Sequence, residues 1–155
     1  MSTLTTTLPG TGSGNLEPYV YRPELIPLVW DEMEAVLMPC FEATNGMLNS
    51  KQVYEWLMQE HAVAFATVRN GRLAAVLVVL KVNYASYSVA RIIACAGKDL
   101  KGAMQFIDAL EAWALTQGCV EIEGWCLKSA ARLVRRYGWK DKLTIVTRDL
   151  RRRLQ

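Results

Sequence analysis

The sequence predicts a single α/β (α+β) domain, a mixed central sheet with helices on both faces. Three observations carry this. Asn70-Gly71 stands between two apolar runs, Ala62 to Arg69 and Leu73 to Val82, and it is the dipeptide that closes tight hairpins because both turn positions need positive φ. The β-branched run Ser88 to Cys95 is separated from a second apolar run, Cys119 to Trp125, by a helical run from Ala103 to Gln117 that stops at Gly118. Two strands joined by a crossover helix are parallel neighbours with a right-handed connection. A chain of 155 residues, 52% hydrophobic and 21% charged, is also long enough to close one core.

Pro18 to Arg22 is a short strand by its aromatic and β-branched content. Pro23 opens a helix from Glu24 to about Ala43, with Leu25, Leu28, Val29, Glu32, Val36, Leu37 and Phe41 near helical spacing. Pro27 falls in its first turn and Pro39 limits its far end, which Asn45-Gly46 closes. Asn49 or Ser50 caps a second helix, Lys51 to Glu60, with Val53, Trp56 and Leu57 on one face. The hairpin follows, then a turn at Asn83 to Tyr87, then the strand, helix and strand of residues 88 to 125. A short basic helix covers Leu127 to Tyr137, and Lys142 to Leu150 reads as a last strand. Residues 1–16 are expected to form an extended N-terminal arm, 17–150 the folded domain and 151–155 a basic C-terminal tail; no internal repeat is present.

Several function classes are disfavoured. No apolar run approaches the ~20 residues a membrane span needs; Leu73 to Leu80 ends at Lys81. No basic region followed by an apolar stretch opens the sequence, so synthesis in the cytoplasm without a signal peptide is expected. Cys40, Cys95, Cys119 and Cys126 include no C-x-x-C pair, so buried free thiols are expected and no metal site. His61 is the only histidine, which leaves nucleophile–histidine chemistry a single candidate base at a helix end.

Charge is unevenly spread. From Lys128 onward ten Lys and Arg face only Asp141 and Asp149, a net +8 in a chain whose total is +3. Such asymmetry suits either a solvated basic helix and tail or a face that meets an acidic partner, protein or nucleic acid. No aromatic–basic interleaving of the kind that stacks bases is present, so nucleic acid is the less favoured partner. The first sixteen residues are rich in Thr, Ser, Gly and Pro and uncharged, too poor in apolar surface to order themselves. Another chain is expected to hold them, through Leu4, Leu8, Pro9 and Leu16.

The order strand, two helices, hairpin, strand, helix, strand, helix, strand resembles the GNAT fold, the acetyltransferase superfamily that uses acetyl-CoA. The likeness covers roughly residues 18 to 150. It is supported by the strand, polar turn and long helix at Ala90 to Gln117 and by Tyr137-Gly138-Trp139, which looks like the family's aliphatic helix followed by Gly-Phe. In active members the turn carries Arg or Gln, two residues, Gly, one residue, then Gly or Ala, so that helix N-terminal amides approach the cofactor pyrophosphate. Here Lys98 replaces Arg or Gln, Lys101 stands at the central Gly, and Gly102-Ala103 complete the match. Many members also place a Tyr general acid four residues before the later Gly and an Asn about seven residues earlier; Val134 and Leu127 stand there. Family general bases are often Glu on central strands, which leaves Glu121 and Glu123, on one face of an alternating strand.

The resemblance therefore implies a scaffold kept without its chemistry. Small proteins of this kind resemble internal or head-to-tail structural proteins of short-tailed bacteriophages. The expectation is a non-catalytic virion component that meets other virion proteins and copies of itself through the arm and through Arg132, Arg135, Arg136, Arg151, Arg152 and Arg153. No catalytic residue and no cofactor are expected. The alternative is a soluble acetyl-CoA-dependent N-acetyltransferase of unknown amine, with Lys98, Lys101, Gly102 and Ala103 at the cofactor.

Overall fold

The computed structural model describes residues 19 to 97, 100 to 126 and 128 to 151; of residues 100 to 105, 128 to 130 and 133 it describes the backbone alone. The chain divides after Gly124 into two compact units, which are taken separately.

The first unit runs β1 (Tyr19–Val20), a 3-10 turn (Pro23–Leu25), α1 (Ile26–Ala43), α2 (Ser50–Met58), β2 (Ala62–Arg69), β3 (Arg72–Asn83), β4 (Ser88–Gly97), α3 (Leu100–Thr116) and β5 (Cys119–Gly124). The five strands lie side by side in chain order. The β1–β2, β2–β3 and β3–β4 pairs are antiparallel and β4–β5 is parallel, the mixed sheet that the crossover helix demands. Asn70 and Gly71 hold φ of 52° and 74° and close β2 on β3, as the dipeptide requires. The side chain of Asn49 caps α2, its Oδ1 accepting from the backbone N–H of Gln52 at 2.8 Å.

The sheet has a core on each face. Ala62, Ala64, Ala66, Val76, Val78 and Ala94 pack with Met33, Leu37 and Phe41 of α1 and with Val53 and Leu57 of α2. Phe65, Ala75, Leu77, Val79 and Ala90 pack with Phe106, Leu110 and Ala114 of α3. Strand periodicity sorts these sets on β2 and β3. On β4 a register shift between Val78 and Val79 leaves Ile93 as an extra residue, and both Ile93 and Ala94 then face α1.

Helix α1 buries Ile26, Met33, Leu37 and Phe41, whereas Leu28, expected on that face, is 80% exposed. Pro23 and Pro27 shift the start: Pro23 opens a 3-10 turn and regular helix begins only at Ile26. Glu32 ties α1 to the hairpin, its Oε1 accepting from the N–H of Leu73 at 2.7 Å. Helix α3 begins at Leu100, three residues before the expected start, so Lys101, Gly102 and Ala103 belong to its first turns and not to the preceding loop.

The second unit holds α4 (Lys128–Arg135), which ends at Gly138 with φ 88°, the left-handed position at which glycine closes helices. Beyond it the expected strand Lys142 to Leu150 is not formed: residues 139 to 150 carry no secondary structure and residues 140 to 150 are exposed. The composition is that of a strand, but a strand exists only where another backbone accepts its hydrogen bonds, and none does so among the described residues. Arg135 is paired with Asp141 and Arg151 with Asp149.

Candidate functional site

The parallel β4–β5 ladder runs as far as Arg91 opposite Glu123 and Ile92 opposite Gly124. Beyond that point β5 has ended, while β4 continues to Gly97 against β3 alone. Among the described residues no strand pairs with the β5-facing side of β4 over residues 93 to 97, which precede α3. Gly97 lets the end of β4 lie tight on β3: a Cβ there would meet the carbonyl oxygen of Ala74 and the Cβ of Ala75, each at 2.6 Å.

A polar cluster lies on the last rungs before β5 ends. Arg91 Nε donates to Glu123 Oε1 at 2.7 Å, Arg91 Nη2 donates to the Tyr84 hydroxyl at 3.1 Å, and that hydroxyl lies 2.8 and 2.9 Å from the two Glu123 oxygens. Tyr84 also meets Tyr87 edge-on, 5.3 Å between centroids. Arg91 and Glu123 each keep only 19% of their side-chain surface exposed. Burial alone would lower the Arg91 guanidinium, but its bonds to Glu123 and Tyr84 outweigh this and hold it above its usual value. A charge inside an apolar strand must find a partner, and that single arginine in Ser88 to Cys95 was the sequence signal for this cluster. The sequence reading weighed Glu123 and missed both residues that hold it.

Two cysteines, Cys40 and Cys95, meet near the end of β4. Cys40 Sγ on α1 donates to the Cys95 carbonyl at 3.0 Å; burial pushes the Cys40 thiol up, and burial together with Cys40 pushes the Cys95 thiol up to about 11. Cys95 as a whole residue has exposed surface, which limits how much of that burial its thiol feels. Cys119 is buried and Cys126 exposed. His61 is exposed after α2, where its N–H closes on the Trp56 carbonyl at 2.9 Å. No cluster of metal-ligating side chains exists among the described residues, and none of their helices is long and apolar enough to cross a membrane.

Of the other anticipated site residues, Leu4, Leu8, Pro9, Leu16, Lys98, Arg152 and Arg153 lie outside the described residues, as does Leu127. Lys101, Gly102 and Ala103 are placed by backbone at the head of α3. Arg132 and Arg136 are exposed, and Arg135 and Arg151 hold local carboxylates. Val134 is part-buried in α4.

No family model matches the sequence, and no curated protein matches it. Solved structures do. An aminoglycoside acetyltransferase, HMB0005, from an uncultured soil metagenomic sample superposes with a TM-score of 0.65 at 18% identity, over 87% of this chain and 98% of that one. A predicted acetyltransferase with acetyl-CoA from Clostridium acetobutylicum gives 0.67 at 12% identity, over 88% and 97%. Ribosomal-protein-alanine N-acetyltransferase from Brucella melitensis biovar Abortus 2308 gives 0.65 at 13%, over 86% and 99%. The architecture is an α/β one with a mixed five-stranded sheet. More narrowly, the chain has the GNAT acetyltransferase fold.

Proposed function

We propose that the chain uses this scaffold for its surfaces and not for acyl transfer, as a structural component of a bacteriophage virion, internal or head-to-tail. The observation that carries the non-catalytic reading is the Glu123 carboxylate. A general base must offer a lone pair to the substrate proton, and both Glu123 oxygens face the Tyr84 hydroxyl while one also accepts from Arg91. The expected acid position agrees, since Val134 has no proton to give. The virion role follows the likeness drawn from the sequence, with the arm residues and the basic C-terminal arginines as contacts to other virion proteins. Thiol release from acetyl-CoA across a panel of amines tests the first half, and mass spectrometry of purified particles the second. No release above the buffer rate and recovery of the chain in particles are expected; turnover that Glu123→Gln abolishes would overturn the proposal.

A second reading, an acetyl-CoA-dependent N-acetyltransferase of unknown amine, is favoured by the opening between β4 and β5. The open backbone of residues 93 to 97 fits an amide-bearing arm, since it offers N–H and C=O groups that no strand uses among the described residues, and the head of a 17-residue helix favours phosphate. Bound there, acetyl-CoA would supply the acetyl thioester; the β4 edge would orient its arm, and Lys98, Lys101, Gly102 and Ala103 would hold its phosphates. Low-micromolar affinity in calorimetry would favour this reading.

A further inference from the structure

We propose that the exposed face of α1 docks the basic C-terminal segment of a second copy of this chain. The net charge of the sequence resides in these two stretches. Pro23 to Ser50 holds Glu24, Asp31, Glu32, Glu34 and Glu42 and no Lys or Arg, a net −5; the stretch from Lys128 onward is +8, and the remainder is neutral, which accounts for the chain total of +3. On α1, Leu28, Asp31, Ala35, Met38 and Glu42 recur at spacings of three and four, so they share one face. All five are exposed, on the side away from the buried Met33 and Leu37, and Leu28 is 80% exposed. The solvent face of a helix is ordinarily charged and polar; this one shows Leu, Ala and Met between acids.

The C-terminal segment carries the converse pattern. Leu143, Ile145 and Val146 stand between Lys140 and Arg148, and all five are exposed; Leu143 and Val146 are 88% and 87% exposed. The acids of this stretch are already engaged, Asp141 with Arg135 and Asp149 with Arg151. Apolar side chains so exposed are costly to leave in water. The α1 stripe from Leu28 to Glu42 is about 21 Å long at 1.5 Å per residue, and Leu143 to Leu150 reaches about 23 Å when extended. The segment can therefore cover the stripe, its apolar residues on Leu28, Ala35 and Met38 and its cations beside Asp31 and Glu42.

Charge complementarity selects the occupant. Two α1 faces repel each other, as do two basic segments. A nucleic acid would take the cations through its phosphates, but it offers little to Leu143, Ile145 and Val146 and leaves the acidic stripe without a counterpart. Another copy of the chain answers both surfaces at once. Because the two surfaces differ, the contact is heterologous: two copies can each seat the other's segment, or the contact repeats around a ring. Neither the virion role nor the absence of catalysis is needed for it.

The test uses the full chain. Sedimentation at low salt should show a dimer or a larger species, and the association should weaken in about 0.5 M salt. Asp31→Lys with Glu42→Lys reverses the stripe, and Lys140→Glu with Arg148→Glu reverses the segment. Each double variant alone should associate about tenfold or more weakly, with the thermal transition unchanged because all four sites are exposed. Mixed in equal amounts, the two variants should associate again, since both contacts between them then join opposite charges. A wild-type protein that stays monomeric, whether or not it retains duplex DNA, an association that either double variant keeps, or a mixture that stays monomeric would each overturn the proposal.

Discussion

Arg91 and Glu123 face each other across the parallel β4–β5 ladder, 2.7 Å from Nε to Oε1, one rung before β4 and β5 part. The pair has the Tyr84 hydroxyl on both of its members, so it is a closed triad. Its position at the opening is where a transferase would want a free base, and its bonding is what a rigid scaffold would want instead.

Arg91→Ala leaves the Glu123 carboxylate part-buried with only Tyr84, and a loss of roughly 1–3 kcal/mol in urea unfolding is expected. Replacing both, Arg91→Ala with Glu123→Ala, should cost less than the two single losses added together, because neither change then strands a charge. Additive losses would show that the two residues do not act as a pair.

Gly97→Ala forces β3 and β4 apart, since the new Cβ would sit 2.6 Å from backbone and Cβ atoms of Ala74 and Ala75. A loss of about 1–3 kcal/mol is expected in the same measurement. Gly124→Ala is the control. Its nearest neighbour is Ile92 at 3.8 Å, ordinary contact, and the expected change is small.

Asn49→Ala removes the side-chain acceptor for the Gln52 N–H at the head of α2. The expected cost is about 1 kcal/mol. Asn49→Asp or Asn49→Ser should restore most of it; if both cost as much as alanine, the cap is not what the residue supplies.

Alkaline pH should weaken the fold. The Cys95 thiol rises from 9.0 to about 11 through burial first and Cys40 second, and Tyr21 from 10.0 to about 12 through burial first, then Tyr19 and Glu32. Both groups keep their protons longer in the folded chain than in the unfolded one, so unfolded protein releases protons first as pH rises. The stability they contribute is complete below about pH 9 and is lost between pH 9 and 12. Urea midpoints across that range check the sign, and Cys95→Ser should flatten the lower part of the fall.

Much of this architecture was legible in the chain because its signals are local. The φ signs that Asn70 and Gly71 demand, the cap at Asn49, and the change of period from two to 3.6 around α3 each reside within a few residues, and the structure places a hairpin, a helix start and a parallel pair where they fall. The sequence also determined that position 134 carries no acid and that the positive charge gathers after residue 128. Tertiary structure alone decided the rest. Glu123 could be read as a candidate base until folding brought Arg91 and Tyr84, 32 and 39 residues away, onto its oxygens. Ile93 and Ala94 share a face only because β4 carries Ile93 as an extra residue with no partner on β3. Residues 142 to 150 have a strand's composition and no strand's structure, since a strand is completed by the backbone beside it and that backbone is not encoded in the strand.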